Sequence, residues 1–393
     1  MMQRRLFLSG ISALGLGASR LALAAGPAGD ARLVVVNLRG ALDGLAAVPP
    51  IGDSGLAALR GEAWAFEPGT EGGALDLDGR FGLHPSLEGM HALFTAREAL
   101  VFHAVAGPWR SRSHFEAQDL LEGGTERRTE SGWLNRALSV LPAEPRGEPR
   151  IGLSLGSAMP LLMRGNRPVG SFTVPDLPRA APETLEVLAR WHATDPLLAS
   201  GFSDGLRGRR FGNAAVGGDP ALRDRDGFRR LSHVAGRMLA QRPGPRVAAL
   251  DLGGWDTHVG QAARLRGLLA QLDAGLLALR DGLGDAWGRT AVLVMTEFGR
   301  TARVNGSAGT DHGTGGAAFL LGGAVAGGRV IADWPGLLPS RLLEGRDLLP
   351  TLDLRRLAKA LLRDHLALPE EALERAFPGS IAVTPLPGLF RPA

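Results

Sequence analysis

Apolar residues in this chain fall into short unbroken runs and longer stretches at helical spacing. Val34-Val35-Val36 within Arg32–Leu38 reads as a buried strand, followed by a glycine-bearing turn. Ala99–Ala106 reads as a second strand and Ile151–Leu155 as a third. Helical spacing predicts helices over Ser86–Arg97, Ser113–Leu121, Gly132–Leu141, Pro182–His192 and Asp224–Ala240. The clearest unit comes next: strand Arg246–Leu252, loop Gly253–His258, amphipathic helix Gln261–Leu283 and strand Thr290–Met295. Strand, long helix and strand at this spacing predict a right-handed crossover, hence a parallel sheet. No period repeats and no linker divides the chain. Gly201–Pro220 reads as a long glycine- and arginine-rich surface loop or lid. The expectation is one α/β domain over residues 26–393.

Residues 1–25 read as an export signal. Arg4-Arg5-Leu6-Phe7-Leu8 is a twin-arginine pattern, an apolar stretch runs from Leu6 to Ser19, and Ala22-Leu23-Ala24 is a small-residue cleavage signature. Arg20 interrupts the stretch, which argues against a membrane-spanning helix. The expected destination is the periplasm or the medium, reached after folding and with a cofactor already loaded.

Composition then excludes several chemistries. The chain has no Cys, so disulfides, thiolate metal sites and Cys nucleophiles are ruled out. The sequence pI of about 10.7 overstates basicity. Removing the signal takes away Arg4, Arg5 and Arg20 and no acid, so the formal charge falls from +4 to +1. No basic run of the kind that binds nucleic acid occurs. Lys359 is the single lysine and sits in a helical stretch, Leu354–Arg363, which disfavours a P-loop or a pyridoxal Schiff base.

The candidate chemistry lies just beyond the strands, where open α/β sheets build their sites. Asp43 follows the first strand; its competing use is a turn before Gly44. Asp256 and His258, two apart in an extended loop, can grip one ion, whereas Asp256 or Thr257 could instead cap the following helix. Glu297 sits past strand Ala291–Met295, where a carboxylate needs an ion or an arginine such as Arg300. Asp311-His312 precede a glycine-rich turn. Gly313, Gly315, Ala318 and Asp333 match a dinucleotide fingerprint, but a polar loop precedes them and Gly322-Gly323 and Gly327-Gly328 disfavour the helix it needs. Those glycines instead read as letting backbone approach a site closely. Ser113 is the candidate nucleophile, flanked by Arg110 and Arg112; its competing use is a capping box with Glu116, sufficient reason by itself for both residues. His84, His91 and His103 read as structural, and no Gly-x-Ser-x-Gly elbow occurs.

Taken in order, "LVVVNLRGALDGL", "RSRSHFEAQD", "LDLGGWDTH", "VLVMTEFGRT" and "DHGTGG" resemble an uncharacterised, twin-arginine-exported, sulfatase-like family of unknown function. That family is similar to the alkaline phosphatase superfamily. The resemblance implies a central, mostly parallel sheet with helices on both faces, and one or two divalent metals serving phosphate or sulfate esters. By position Asp43 matches the first-strand metal carboxylate, and Ser113 stands where the nucleophile stands. Asp256 and His258 match the middle metal pair, and Asp311 with His312 a later pair or the distal histidine. The chain departs from the pattern in three ways: its middle pair is closely spaced, Glu297-Phe298 replaces an Asp-His pair, and no Cys can become formylglycine.

Two functional expectations result. The first is an exported metal-dependent hydrolase of small anionic phosphate or sulfate esters. Zn or Mn is expected by ligand type, with Ca or Mg as alternatives; Ser113 or a water attacks, and Arg300 holds the equatorial oxygens. The second is a catalytically silent exported protein with a structural ion that binds a protein or glycan partner.

Overall fold

The apolar runs become strands of one sheet. The computed structural model describes residues 30–61, 68–142, 150–173 and 181–392, and the expected signal over residues 1–25 lies outside them. The sheet strands are β1 (Arg32–Arg39), β2 (Ala99–Ala106), β3 (Gly152–Leu155), β4 (Gly170–Phe172), β5 (Val247–Gly253), β6 (Thr290–Thr296), β7 (Gly316–Leu321), β8 (Arg329–Ile331) and β9 (Leu352–Asp353). Their order is β8-β2-β7-β6-β1-β5-β3-β4, with β9 on β2. All pairings are parallel except those of β7, which runs antiparallel to both β2 and β6. The chain is thus a single α/β domain on a mixed, mostly parallel sheet.

β1 sits between β5 and β6, with Val35 opposite Ala249 on one side and Leu293 on the other. Its side chains alternate between two cores. Val34, Val36 and Leu38 pack with helices α3 (Glu88–Thr95), α8 (Gly227–Ala240) and α9 (Gln261–Leu283). Leu33 and Val35 pack against α5 (Trp133–Leu138), α10 (Leu354–Ala360) and α11 (Glu370–Ala376). Helices on both faces explain why these strands read as continuous apolar runs. The expected unit over 246–295 is present as β5, α9 and β6, with β1 inserted between its two strands.

One expectation changes. Gly201–Pro220 is not a loop: α7 (Pro196–Val216) runs through most of it. Glycines cost a helix about 1 kcal/mol each relative to alanine, but tertiary contacts override that cost here. Ala215 and Val216 are buried in the core. A Cβ on Gly212 would lie 2.6 Å from the Phe172 ring, so the glycine admits β4 against the helix. The segment after Gly313 and Gly315 forms buried strand β7 rather than a helix, as the rejection of a dinucleotide site requires. No helix among the described residues is long and apolar enough to cross a membrane.

Candidate metal centre

The carboxyl ends of β1, β2, β5 and β6 and the start of β7 share one edge of the sheet. The loop after β2 ends in α4 (His114–Gly123), whose first residue is His114. The loop after β5 carries Asp256 and His258, and the loop entering β7 carries Asp311 and His312. These loops touch closely. Gly40, at φ 116°, would place a Cβ 2.6 Å from the Asp256 amide nitrogen, and a Cβ on Gly309 would lie 2.1 Å from the His258 carbonyl oxygen.

Three imidazoles converge on one carboxylate oxygen, Asp256 Oδ1. His258 Nε2 lies at 2.9 Å, His312 Nε2 at 3.2 Å and His114 Nε2 at 3.3 Å. The two nitrogens His258 Nε2 and His312 Nε2 are 3.0 Å apart. In each ring the far nitrogen meets an acceptor: His114 Nδ1 meets Glu297 Oε1 at 2.8 Å, His312 Nδ1 the Arg112 carbonyl at 2.7 Å, and His258 Nδ1 Asp311 Oδ1 at 3.1 Å. With the ring proton on Nδ1, facing those acceptors, the Nε2 lone pairs face inward, as in carboxylate–histidine–metal arrangements; Asp256 Oδ1 then needs a cation or a proton between itself and the three rings.

The His114 Nε2 atom is buried and, apart from its 3.3 Å approach to Asp256, has no polar partner among the described residues. Ligand atoms of His114, Asp256 and His312 all lie within 4.8 Å of one another. Inward lone pairs beside an anionic oxygen repel unless a cation is shared, and an imidazole–carboxylate set suits a divalent transition metal. The residues present therefore fit such an ion. Asp256 is 45% exposed and His258 39%, so the set is open on one side.

Charges around the site reinforce this geometry. Burial works against ionisation of Asp256, but the hydrogen bond and charge of Arg300, 2.6 Å away, hold its carboxyl down at about 2. Glu297 is 1% exposed; the hydrogen bonds from His114, Gln118 and Gly40 outweigh burial and keep its carboxyl below the usual range. The hydrogen bond to Glu297 raises the His114 imidazole, while burial pushes that of His312 down. Asn305 donates to Asp311 and lowers its carboxyl.

Of the residues singled out from sequence, Asp256, His258, Asp311 and His312 come together here. Asp43 takes a different role. It is 1% exposed, caps helix α1 (Gly44–Ala47) through Leu45 and Ala46, and forms a two-pronged pair with Arg60 at 2.5 and 3.0 Å. Burial would raise its carboxyl, yet Arg60 keeps it lowered. The turn and ion-pair use of Asp43 thus replaces the expected ligand role.

Glu297 stands behind His114 rather than facing the centre. Arg300 is fully buried and gives its donors to the carbonyls of Ala41, Thr310, Gly40 and Trp255 and to Asp256. It knits the loops and leaves no fork for a substrate oxygen. Arg112 is likewise held by Asp347 and Glu344.

Ser113 is exposed at the start of α4, and its side chain caps nothing. The expected capping pair is taken by Ser111, whose Oγ donates to Glu116 and accepts from the Ser113 amide. His103 is spent within β2: Nε2 donates to the Val48 carbonyl and Nδ1 accepts from the Ala104 amide. His84 accepts from the Ser86 amide and His91 donates to the Asp76 carbonyl, both outside the cluster.

Sequence reasoning missed His114. Its signal in the sequence is an imidazole at the strand-to-helix turn after β2, next to Ser113. Gln118, Gln261, Arg60 and Asp347 also went unnoticed, and nothing local marks them.

Residues 217–376 match a family described as "Protein of unknown function (DUF1501)". The matched span contains the "WDTH", "TEFGR" and "DHG" segments and omits His114. No curated protein matches the chain. Among solved structures, Ps i-CgsB in complex with k-i-k-neocarrahexaose is similar at 10% identity and TM-score 0.40, over 90% of this chain and 77% of that one. The C-terminal periplasmic domain of EcEptC from Escherichia coli, in complex with Zn, is similar at 9% identity and TM-score 0.33, over 75% and 74%. Likenesses this loose carry no argument; the architecture above rests on strand pairing alone.

Proposed function

We propose that this chain is an exported metal-dependent hydrolase of phosphate or sulfate esters, working at the His114–Asp256–His312 centre. The observation that carries the reading is the convergence of His114, His258 and His312 Nε2 on Asp256 Oδ1, with the opposite nitrogen of His114 fixed by Glu297. His114, Asp256 and His312 would hold the ion, with Zn or Mn favoured by two nitrogens and one carboxylate. Such an ion, when bound, polarises an ester oxygen and makes water a better nucleophile.

The chain's own groups do the rest. Glu297 and the Arg112 carbonyl orient two imidazoles. Arg300 keeps Asp256 ionised and in place. His258, whose Nδ1–H is held by Asp311, presents Nε2 beside the set on its open side, where it can take or deliver a proton. The exposed Ser113 has no base beside it among its described contacts, so water is the preferred nucleophile.

The open side favours chemistry over a purely structural ion, since structural sites are closed. Ester specificity rests on the family resemblance in the motifs. Export belongs to the same proposal and is tested by cell fractionation of wild type against Arg4→Lys/Arg5→Lys. For the reaction, protein purified after native export is analysed for metals and screened on phosphate and sulfate esters beside His114→Ala. Bound transition metal and hydrolysis lost in the variant are expected. Metal without hydrolysis would favour the silent, structural alternative; absence of metal would end both.

A further inference from the structure

Directly beneath the centre lies a closed polar network. Gln261, the first residue of α9, is fully buried. Its Oε1 accepts from Thr257 Oγ1 at 2.9 Å and Thr310 Oγ1 at 2.5 Å, and its Nε2 donates to Asp43 Oδ2 at 2.5 Å. The carboxylate can only accept, so the amide orientation is set without ambiguity. Thr257 lies between Asp256 and His258, and Thr310 directly precedes Asp311 and His312. One side chain therefore grips both histidine-bearing loops.

The backbones confirm the register of the two loops: the Thr310 amide donates to the Thr257 carbonyl, and the Gln261 amide to the Ala308 carbonyl. The far end of Gln261 is anchored. Asp43 is pinned by Arg60, which also donates to the carbonyls of Ala302 and Thr301. Both Arg60 and Asp43 are 1% exposed. A buried ion pair is poor value for stability compared with apolar packing, and its best-attested benefit is fixing one arrangement.

We propose that Gln261 is a positioning residue that sets the separation of the Asp256–His258 loop from the His312 loop, and so tunes metal affinity. The inference rests on the metal-centre reading above. Gln261 reaches no ligand atom; it acts only through Thr257 and Thr310.

The test measures zinc affinity of the full chain by competition with a chromophoric chelator, and the visible spectrum after cobalt(II) loading. Gln261→Met is expected to weaken zinc binding by about 10- to 100-fold, the usual scale for outer-shell partners, and to alter the cobalt spectrum. Thr257→Val and Thr310→Val should each weaken it less, and Thr310→Ser, which keeps the hydroxyl, should restore wild-type affinity.

Unchanged affinity and spectrum in Gln261→Met, with only a lower Tm, would overturn the proposal. If Gln261→Met fails to fold, unchanged affinity in both threonine-to-valine variants overturns it equally. His312→Ala separates the two readings. If wild type binds zinc no better than His312→Ala, the metal centre itself falls and this inference with it. If His312→Ala loses zinc while Gln261→Met keeps it, only the inference falls.

Discussion

Replacing Glu297 separates what holds the fold from what orients the centre. Its Oε1 accepts from the Gly40 amide at 2.8 Å, from His114 Nδ1 at 2.8 Å and from Gln118 Nε2 at 3.0 Å. Its Oε2 lies 2.9 Å from Thr296 Oγ1, which also donates to the Leu38 carbonyl. In Glu297→Gln the amide oxygen can keep all three donors. Its new N–H can donate to Thr296 Oγ1, leaving the hydroxyl proton for Leu38.

Little but the charge is then lost, and stability should fall by no more than about 1 kcal/mol. Glu297→Ala instead strands three donors, each worth about 1–3 kcal/mol if buried. His114 and Gln118 are partly exposed and can turn to water, so the loss should total about 2–4 kcal/mol. Zinc affinity should fall about tenfold already in Glu297→Gln, about 1.4 kcal/mol, because His114 loses its anionic partner. Urea denaturation reads the first quantity and chelator competition the second. Wild-type zinc affinity in Glu297→Gln would refute the idea that Glu297 serves the centre through His114.

Three further outcomes are expected. Burial holds the His103 imidazole at about 4, against an ordinary 6.5, despite its bond to Val48. Below pH 6.5 the unfolded chain therefore takes a proton that the native chain refuses, and stability falls by up to about 3 kcal/mol as pH drops from 6.5 to 4. Denaturation across this range should show at least that slope, and His103→Gln should remove this share of it while His84, held equally low by burial, keeps its own. Ser113→Ala should retain ester hydrolysis within about twofold of wild type; loss of activity in steady-state assays would return Ser113 to the role of nucleophile. Gly309→Ala would drive a Cβ to 2.1 Å from the His258 carbonyl oxygen, displacing that loop. It should lower both Tm and zinc affinity, whereas Gly306→Ala, in open space, should lower neither.

Sequence alone carried much of the framework. Apolar runs such as Val34-Val35-Val36 mark strands buried on both faces, and the 246–295 pattern marks a strand–helix–strand unit, because burial imposes those periods locally. The loops bearing Asp256, His258, Asp311 and His312 were legible for a related reason: strand ends deliver side chains to one edge whatever the details of packing.

Tertiary structure alone decided direction and partnership. Asp43, Glu297 and Arg300 lie close beyond strands just as Asp256 does, yet Arg60 and Gln261 claim the first, His114 the second and four loop carbonyls the third. Those partners are remote in sequence, 17 to 260 positions away apart from the Thr310 carbonyl, so no local pattern announces them. Gln261 is 218 positions from Asp43 and 49 from Thr310. Electrostatic pairing and desolvation depend on distances in space, and only the folded chain sets those.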